Sequence, residues 1–176
     1  MEKNWMELLG QQNQIKAVLK TNEYTTKCGL VLTEQDAIIL SRGRKSALRE
    51  QRRVEFGEGI IPKLIYAFAD SPYINQDNYV QTLMELQDLF YRFKNEMNDE
   101  ITDDELINFM KEQFDTICFG DLEYLGGTCM EVFAEAIRAG YDDYHYSEGY
   151  GEYQKFDMVP RWDYQLFVKA LEDLES

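Results

Sequence analysis

Basic side chains cluster between positions 42 and 53 of a chain that is otherwise strongly acidic. Six arginines and lysines stand in this segment against one glutamate, whereas the whole chain of 176 residues carries a formal net charge of −15. Guanidinium groups bind carboxylates and phosphates through paired hydrogen bonds. The segment therefore predicts a groove for phosphates or for an acidic partner, or else a basic helix face that is solvated or held against the protein's own acidic surface.

A small-molecule or enzymatic site is one interpretation of the polar residues in and beyond this segment. Such sites are clefts in which a few polar or titratable groups converge. We expect this one to lie in a cleft between helices. The candidate binding residues, to none of which the sequence assigns a catalytic role, are Arg44, Arg49, Arg52, Arg53, Glu55, Tyr91 and Glu96.

The stretch from position 94 to position 105 has the twelve-residue length of an EF-hand loop between two predicted helices. A lysine at its first position, Lys94, brings a positive charge where a calcium ion needs an oxygen, and Asp99 stands where a glycine normally makes the turn. The pattern favours a capped helix hairpin with an acidic turn, and calcium binding by a degenerate loop is the weaker alternative. The residues at the six ligating positions are Lys94, Glu96, Asn98, Glu100, Thr102 and Glu105.

Three cysteines and one histidine are the residues that zinc would use. Cys28, Cys118, Cys129 and His145 match the spacing of no zinc module. An odd number of cysteines without a C-x-x-C pair indicates reduced thiols rather than a disulfide framework. We therefore expect no metal site and no cofactor, and we expect Cys118 and Cys129 to be free thiols buried in the core.

A tyrosine- and acid-rich excursion covers residues 141–157. Tyrosine is enriched at protein interfaces because it combines apolar area with a polar tip. The excursion therefore predicts either an interface or a loop that folds back and covers the core. The candidate interface residues are Tyr144, His145, Tyr146, Tyr150 and Tyr153.

Several function classes leave no signature in the sequence. The chain contains no G-x-x-x-x-G-K-[ST], G-x-S-x-G or H-E-x-x-H motif, and a single histidine gives a histidine-based triad little to work with. The negative charge disfavours binding to nucleic acid or to anionic lipid. No apolar run approaches the roughly 18 residues that span a bilayer, and the first residues do not resemble a signal peptide. We expect a cytoplasmic protein and lean against an enzyme.

The elements that position these residues are organised around the stretch from Tyr79 to Phe119. Its apolar residues recur every three or four positions, which places them on one face of each of two helices. Thr102 and Glu105 have the spacing of a capping box at the start of the second helix. We expect two antiparallel neighbours that bury their faces together. The residues of the two stripes are Tyr79, Leu83, Leu86, Phe90, Phe93 and Met97, followed by Leu106, Met110, Phe114 and Ile117.

The remaining helices are predicted over residues 4–20, 33–54, 62–69, 121–140 and 161–174. The stripe of the first is made by Trp5, Leu8, Gln12, Ile15 and Leu19, and Gly43 weakens the second, which leaves room for a kink or break near there. The pattern predicts no pair of strands. The sequence thus predicts an all-α, single-domain bundle over residues 1–176, with about seven helices organised on the central helical hairpin.

A resemblance to a known family rests on four runs of the sequence. LTEQDA, RVEFGEGIIPKLIYAFADSPYI, FYRFKNEMNDEITDDELINFM and GDLEYL resemble an uncharacterised family of Firmicutes proteins, a domain of unknown function, over about residues 30–140. The resemblance implies a bacterial, cytoplasmic protein. It supplies no activity, substrate or site residue.

The leading hypothesis from the sequence is a non-enzymatic helical module that binds another protein or itself. The missing catalytic motifs, the separation of basic from acidic segments and the tyrosine-rich excursion all favour it. The inter-helix site and the degenerate calcium loop are the alternatives.

Overall fold

A computed structural model describes residues 2–139, with side chains from Trp5 onward. Within these residues every regular element is helical and there is no strand, which confirms the all-α prediction. The helices are α1 (Glu2–Lys20), α2 (Asn22–Thr25), α3 (Glu34–Glu50), α4 (Ile61–Phe68), α5 (Tyr79–Glu96), α6 (Asp103–Thr116), α7 (Leu122–Tyr124) and α8 (Met130–Arg138).

Two short segments of other helical geometry complete this part of the chain. A 3₁₀ turn, Thr26–Cys28, follows α2, and a π-helical turn, Leu125–Cys129, joins α7 to α8. Six principal helices therefore lie within residues 2–139, close to the seven expected for the whole chain. The tyrosine-rich excursion and the helix predicted over 161–174 lie outside the described residues. None of the described helices combines the length and apolar character needed to cross a membrane.

The two apolar stripes of the central hairpin form the centre of the core, as the sequence predicts. Burying one large apolar side chain contributes about 1.5–3 kcal/mol, so these positions outweigh any local helix propensity. Ile117 at the end of the second stripe is half-buried and packs against the core. The buried members are Tyr79, Leu83, Leu86, Phe90, Phe93, Met97, Leu106, Met110 and Phe114.

The hairpin helices are not each other's principal neighbours. α5 packs most extensively against α3, and α6 packs most extensively against α4. The reason is α4, a short and strongly apolar helix that contacts both α5 and α6 and buries Leu64, Ile65 and Phe68. The core is therefore shared by six helices, with Val18 of α1 and Phe133 of α8 among its buried residues, rather than enclosed between two.

Helix starts follow the predicted capping chemistry. The Thr102 hydroxyl accepts from the Glu105 N–H at 3.1 Å, and Glu105 Oε1 accepts from the Thr102 N–H at 2.9 Å. Thr33 and Asp36 make the same reciprocal pair at the start of α3. Each pair satisfies backbone donors that the first helical turn leaves without a partner.

The end of α3 differs from the predicted one. The helix ends at Glu50 rather than near position 54, and Gly43, which weakens it, does not break it. Gly43 is buried and faces α5, where a Cβ would lie only 2.5 Å from the Met84 Sδ. The thioether of Met84 fills the space of the missing side chain, which brings α3 and α5 close together at this point.

The first half of α1 does not pack as the sequence predicts. Gln14 and Val18 face the core, whereas Trp5 and Leu8 of the predicted apolar face are 64% and 59% exposed. The shallow depression beside them is lined by residues of α1 alone. The periodicity was right for a helix but wrong for burial, because Trp5 and Leu8 lie on a face of α1 that no other described helix covers.

The ionisation of Tyr79 makes the free energy of unfolding depend on pH in the alkaline range. Burial raises the pKa of its hydroxyl to about 12, whereas an unfolded tyrosine ionises near ~10. Between these values the unfolded state has lost the proton and the folded state keeps it, so stability falls as the pH rises. In urea denaturation at pH 8 and pH 11, we expect Tyr79→Phe to lose less stability than the natural protein.

Tyr66→Phe is the matched control for this measurement, because the Tyr66 ring is half exposed and belongs to α4. Its loss of stability between the two pH values should equal that of the natural protein. An equal loss in Tyr79→Phe as well would contradict the account.

Candidate functional site

Three of the predicted site residues meet between α3 and α5. Arg44 of α3 donates through Nε to Glu55 Oε1 at 2.9 Å, and the Tyr91 hydroxyl of α5 donates to the same oxygen. The other guanidinium nitrogens of Arg44 donate to the carbonyl oxygens of Gly57 at 3.2 Å and Glu55 at 3.3 Å. We call Arg44, Glu55 and Tyr91 the buried polar cluster, because Arg44 is only 8% exposed and Tyr91 only 1%.

The groups of the buried polar cluster satisfy one another. Burial and the adjacent Glu55 carboxylate raise the pKa of Tyr91 well above its usual range, so its hydroxyl stays a neutral donor. Gly59, whose φ is +73°, passes directly over the ion pair, and a Cβ there would lie 2.6 Å from both Arg44 Nε and Glu55 Oε1. The cluster therefore fixes the loop between α3 and α4, and its donors and acceptors point at each other rather than at a ligand.

A second arginine ties the end of α3 to the turn after α5. The two terminal nitrogens of Arg53 donate to the two carboxylate oxygens of Asp99 at 2.8 and 3.2 Å, and one of them also donates to Asn95 Oδ1 at 2.6 Å. The hydrogen bonds that Arg53 donates to Asp99 lower the pKa of Asp99 and raise the pKa of Arg53. Their stabilising contribution is present above the usual pKa of an aspartate and is lost as the pH falls through the lowered pKa of Asp99.

The other predicted binding residues do not join this site. Arg49 and Arg52 are exposed, and Arg52 has a positive φ of 57° in the turn that follows α3. Glu96 pairs with Arg138 at 3.3 Å on α8. The five predicted interface residues, Tyr144, His145, Tyr146, Tyr150 and Tyr153, lie outside the described part of the chain.

Two polar residues beside the buried polar cluster were missed from the sequence. Ser41 donates through its hydroxyl to Gln14 Oε1 at 2.6 Å, and the Gln14 amide donates to the carbonyl oxygen of Glu58 at 3.1 Å. Both side chains are about 4% exposed. The sequence marks Gln14 and Ser41 only as polar residues one helical turn away from apolar ones, and this pattern is common on any amphipathic helix.

The twelve-residue stretch from 94 to 105, which includes the end of α5 and the start of α6, is arranged around a lysine. Lys94 is buried, and its Nζ lies 2.8 Å from both the carbonyl oxygen of Ile101 and Asp103 Oδ1, and 3.8 Å from Asp99 Oδ1. The ammonium supplies the positive charge toward which these oxygens point. Among residues 2–139, no group of three or more His, Cys, Asp or Glu side chains is placed to hold a metal ion.

Two buried thiols lie together in the core, next to the start of α8. Cys118 and Cys129 are buried free cysteines with their Sγ atoms 3.5 Å apart, which confirms their predicted place in the core. The hydrogen bond with Cys129, together with burial, raises the pKa of the Cys118 thiol. A thiol that does not ionise is a poor nucleophile and a poor metal ligand.

Two open clefts flank the inner face of α1. One, of about 490 Å³, includes Lys16, Lys20 and Glu58 in its wall. The other, of about 470 Å³, runs between α1 and α3 under the loop that holds Phe56, and Met6 and Lys45 form part of its wall. Both volumes lie within the range that binds small molecules.

Large apolar side chains are exposed on the first half of α1 and on the loop between α3 and α4. Phe56, on this loop, is 90% exposed and lines the second cleft together with Met6, whereas Trp5, Leu8 and Leu9 line a separate depression formed by α1 alone. We call the whole set the exposed apolar surface, to which α1 and the loop contribute separately. Its members are Trp5, Met6, Leu8, Leu9, Val54 and Phe56.

Taken together, the described residues define a helical protein with an internally satisfied polar cluster, an exposed apolar surface and, within positions 2–139, no assembled catalytic constellation. The chain belongs to the Family of unknown function (DUF6323), whose family model matches residues 17–143. The match confirms the expected resemblance to a domain of unknown function. It begins at residue 17, thirteen residues before the expected start at about residue 30. No curated protein and no solved structure matches the chain.

Removing the carboxylate of the buried polar cluster should destabilise the fold. Glu55→Gln leaves the Arg44 guanidinium without its ion pair, so we expect the free energy of unfolding to fall by about 1–3 kcal/mol. Urea denaturation followed by circular dichroism measures the change. Glu58→Gln is the control, because the Glu58 side chain is exposed and only its main-chain oxygen is bonded to Gln14. Equal stability of Glu55→Gln and the natural protein would mean that Arg44 is solvated.

The three thiols should react in two classes. Cys28 is half-buried, so we expect one equivalent to react rapidly with a disulfide reagent under native conditions. Cys118 and Cys129 should react only when denaturant opens the core. Cys28→Ser serves as the control and should remove the rapid phase. A rapid phase of two or more equivalents would contradict the burial of the pair.

Proposed function

We propose that the protein is a non-enzymatic, helical protein-interaction module that binds its partner through the exposed apolar surface. The observation that carries the proposal is the exposure of six large apolar side chains, by 47 to 90%, on the first half of α1 and the adjacent loop. Single exposed apolar residues are normal on a soluble protein, but a group of them marks an interaction site.

Charge around the surface favours an acidic partner. Lys45 and Glu7 line the cleft beside Met6, and Arg49 adds a second basic group one helical turn further along α3. The side chains of Lys45 and Arg49 are exposed, as is Arg52 in the following turn. Basic groups at the rim of an apolar patch steer and orient a partner of opposite charge.

A second candidate is a small molecule in the cleft between α1 and α3. Its volume of about 470 Å³ and the presence of Gln14, Ser41 and Arg44 in its wall favour this interpretation. The polar atoms of these residues already bond to one another and to the loop, which leaves few to orient a ligand. The interaction module is therefore the better supported of the two.

Several expectations from the sequence stay predictions. They are the Firmicutes origin, the cytoplasmic location, the lack of nucleic-acid and membrane partners, and the single domain over 1–176. Self-association is the alternative to a different partner protein, and light scattering of the purified protein distinguishes the two. An unchanged melting temperature in millimolar calcium would dismiss the degenerate calcium loop.

The proposal is tested by capture from a lysate of the protein's own host with the full chain immobilised. We expect Phe56→Asp to reduce capture of the partner at least about tenfold, because losing one buried large apolar side chain costs more than 1.4 kcal/mol. Val31→Asp is the matched control, since Val31 is exposed near the opposite end of α3. A partner retained equally by all three proteins, or no captured partner and a monomer by light scattering, would contradict the proposal.

A further inference from the structure

The two open clefts that flank α1 meet each other. Gly10, Gln14 and Gly57 belong to the walls of both. Gly10 lies one helical turn before Gln14, whose buried side chain faces Ser41 of α3 and the main chain of Glu58. A Cβ at Gly10 or at Gly57 would meet no heavy atom within 4 Å, so the space beside both glycines is open. The two clefts therefore form one groove along the inner face of α1.

One end of this groove is apolar. Met6 of α1, Leu48 of α3 and Phe56 of the loop line it. Met6 and Phe56 are 65% and 90% exposed, so a bound apolar group would remove much of their area from water. Glu7 and Lys45 in the same wall carry opposite charges. This end therefore favours an uncharged, apolar group.

The other end of the groove is basic. Lys16 and Lys20 lie one turn apart on α1 and line it together with Glu58, which gives these three residues a net charge of +1. Both lysines are exposed, and neither pairs with an acid of the described chain. The lysines of α4, α5 and α6 are by contrast all bound to carboxylates. Two ammonium groups opposed by one carboxylate favour a ligand with a single negative charge.

The wall opposite α1 is fixed by the protein itself. Arg44 donates to the carbonyl oxygens of Glu55 and Gly57, and Gln14 donates to that of Glu58. These bonds hold the loop without any ligand. A wall that is already ordered loses little conformational entropy when a ligand binds.

We propose that this groove binds an amphiphilic carboxylate, whose charged end lies between Lys16 and Lys20 and whose aliphatic tail lies under Phe56. The fourteen residues from Met6 to Lys20 span about 21 Å of α1, which suits an extended chain rather than a compact metabolite. The cleft between α1 and α3 alone offers few free polar atoms to orient a ligand, and the adjoining basic end supplies them. This inference goes beyond the proposed function, because it assigns a ligand to the inner face of α1 and involves no partner protein.

Isothermal titration calorimetry of the purified full-length protein with decanoate measures the binding. Decanol has a similar tail without the charge, and inorganic phosphate has charge without a tail. We expect decanoate to bind in a one-to-one ratio, decanol to bind about two- to fivefold more weakly and phosphate to give no signal. Because exposed ion pairs are screened by salt, added sodium chloride should weaken decanoate but not decanol.

Gly10→Leu tests the junction of the two clefts. Leucine is the better helix former and its Cβ meets open space, so the variant should be at least as stable to urea as the natural protein. Its side chain occupies the junction, and we expect both decanoate and decanol to bind at least about tenfold more weakly. Gly10→Ala is the matched control, because it gains the same helix propensity with little volume and should keep most of the affinity.

Lys20→Gln tests the basic end. We expect it to weaken decanoate about two- to fivefold and to leave decanol unchanged. Lys27→Gln is the control, because it makes the same charge change at an exposed lysine outside the walls of both clefts and should change neither affinity.

Three results would overturn the inference. They are the absence of decanoate binding, full affinity in Gly10→Leu, and equal effects of Lys20→Gln and Lys27→Gln on decanoate. None of these measurements uses a partner protein. If decanoate does not bind and capture from the lysate still depends on Phe56, the proposed function stands and the ligand site fails. If decanoate binds as expected and no partner is captured, the ligand site stands alone.

Discussion

The buried guanidinium of Arg44, whose charge must be neutralised, determines how the loop between α3 and α4 is arranged. Arg44 lies between α3 and α5, where an unpaired charge would cost several kcal/mol (about 3–5). It is matched by Glu55, which must therefore point inward from the loop between α3 and α4. The neighbours of Glu55 on this loop, Val54 and Phe56, are by contrast 80% and 90% exposed.

The basic segment at 42–53 divides between two kinds of role. Arg44 and Arg53 are bonded to carboxylates within the protein, and together they hold the loop and the turn after α5 in place. Arg49 and Arg52 stay exposed beside the exposed apolar surface. Part of the segment is thus held against the protein's own carboxylates, and a groove for phosphates or for an acidic partner stays a prediction.

Periodic and strictly local signals predicted most of the fold. The stripe from Tyr79 to Met97 identified α5 and its buried face, and the Thr102–Glu105 spacing located the start of α6 to the residue. The sequence grouped Arg44, Glu55 and Tyr91 as candidates, but their mutual bonding depends on how α3 and α5 pack. The exposure of Trp5 and the insertion of α4 were missed for the same reason. Periodicity states which face of a helix is apolar, but not whether another element covers it.

The sequence separations within the buried polar cluster have a kinetic consequence. Arg44 and Glu55 are 11 residues apart, whereas Glu55 and Tyr91 are 36 apart. Loop closure costs more entropy as the loop lengthens, so the contact between neighbours along the chain is the cheaper one to make first. If α5 covered Arg44 before Glu55 paired with it, the unpaired guanidinium would be desolvated in the transition state for folding. This cost is avoided when Glu55 pairs with Arg44 before Tyr91 packs against them. We therefore expect the short loop before α4 to be formed already in the transition state for folding.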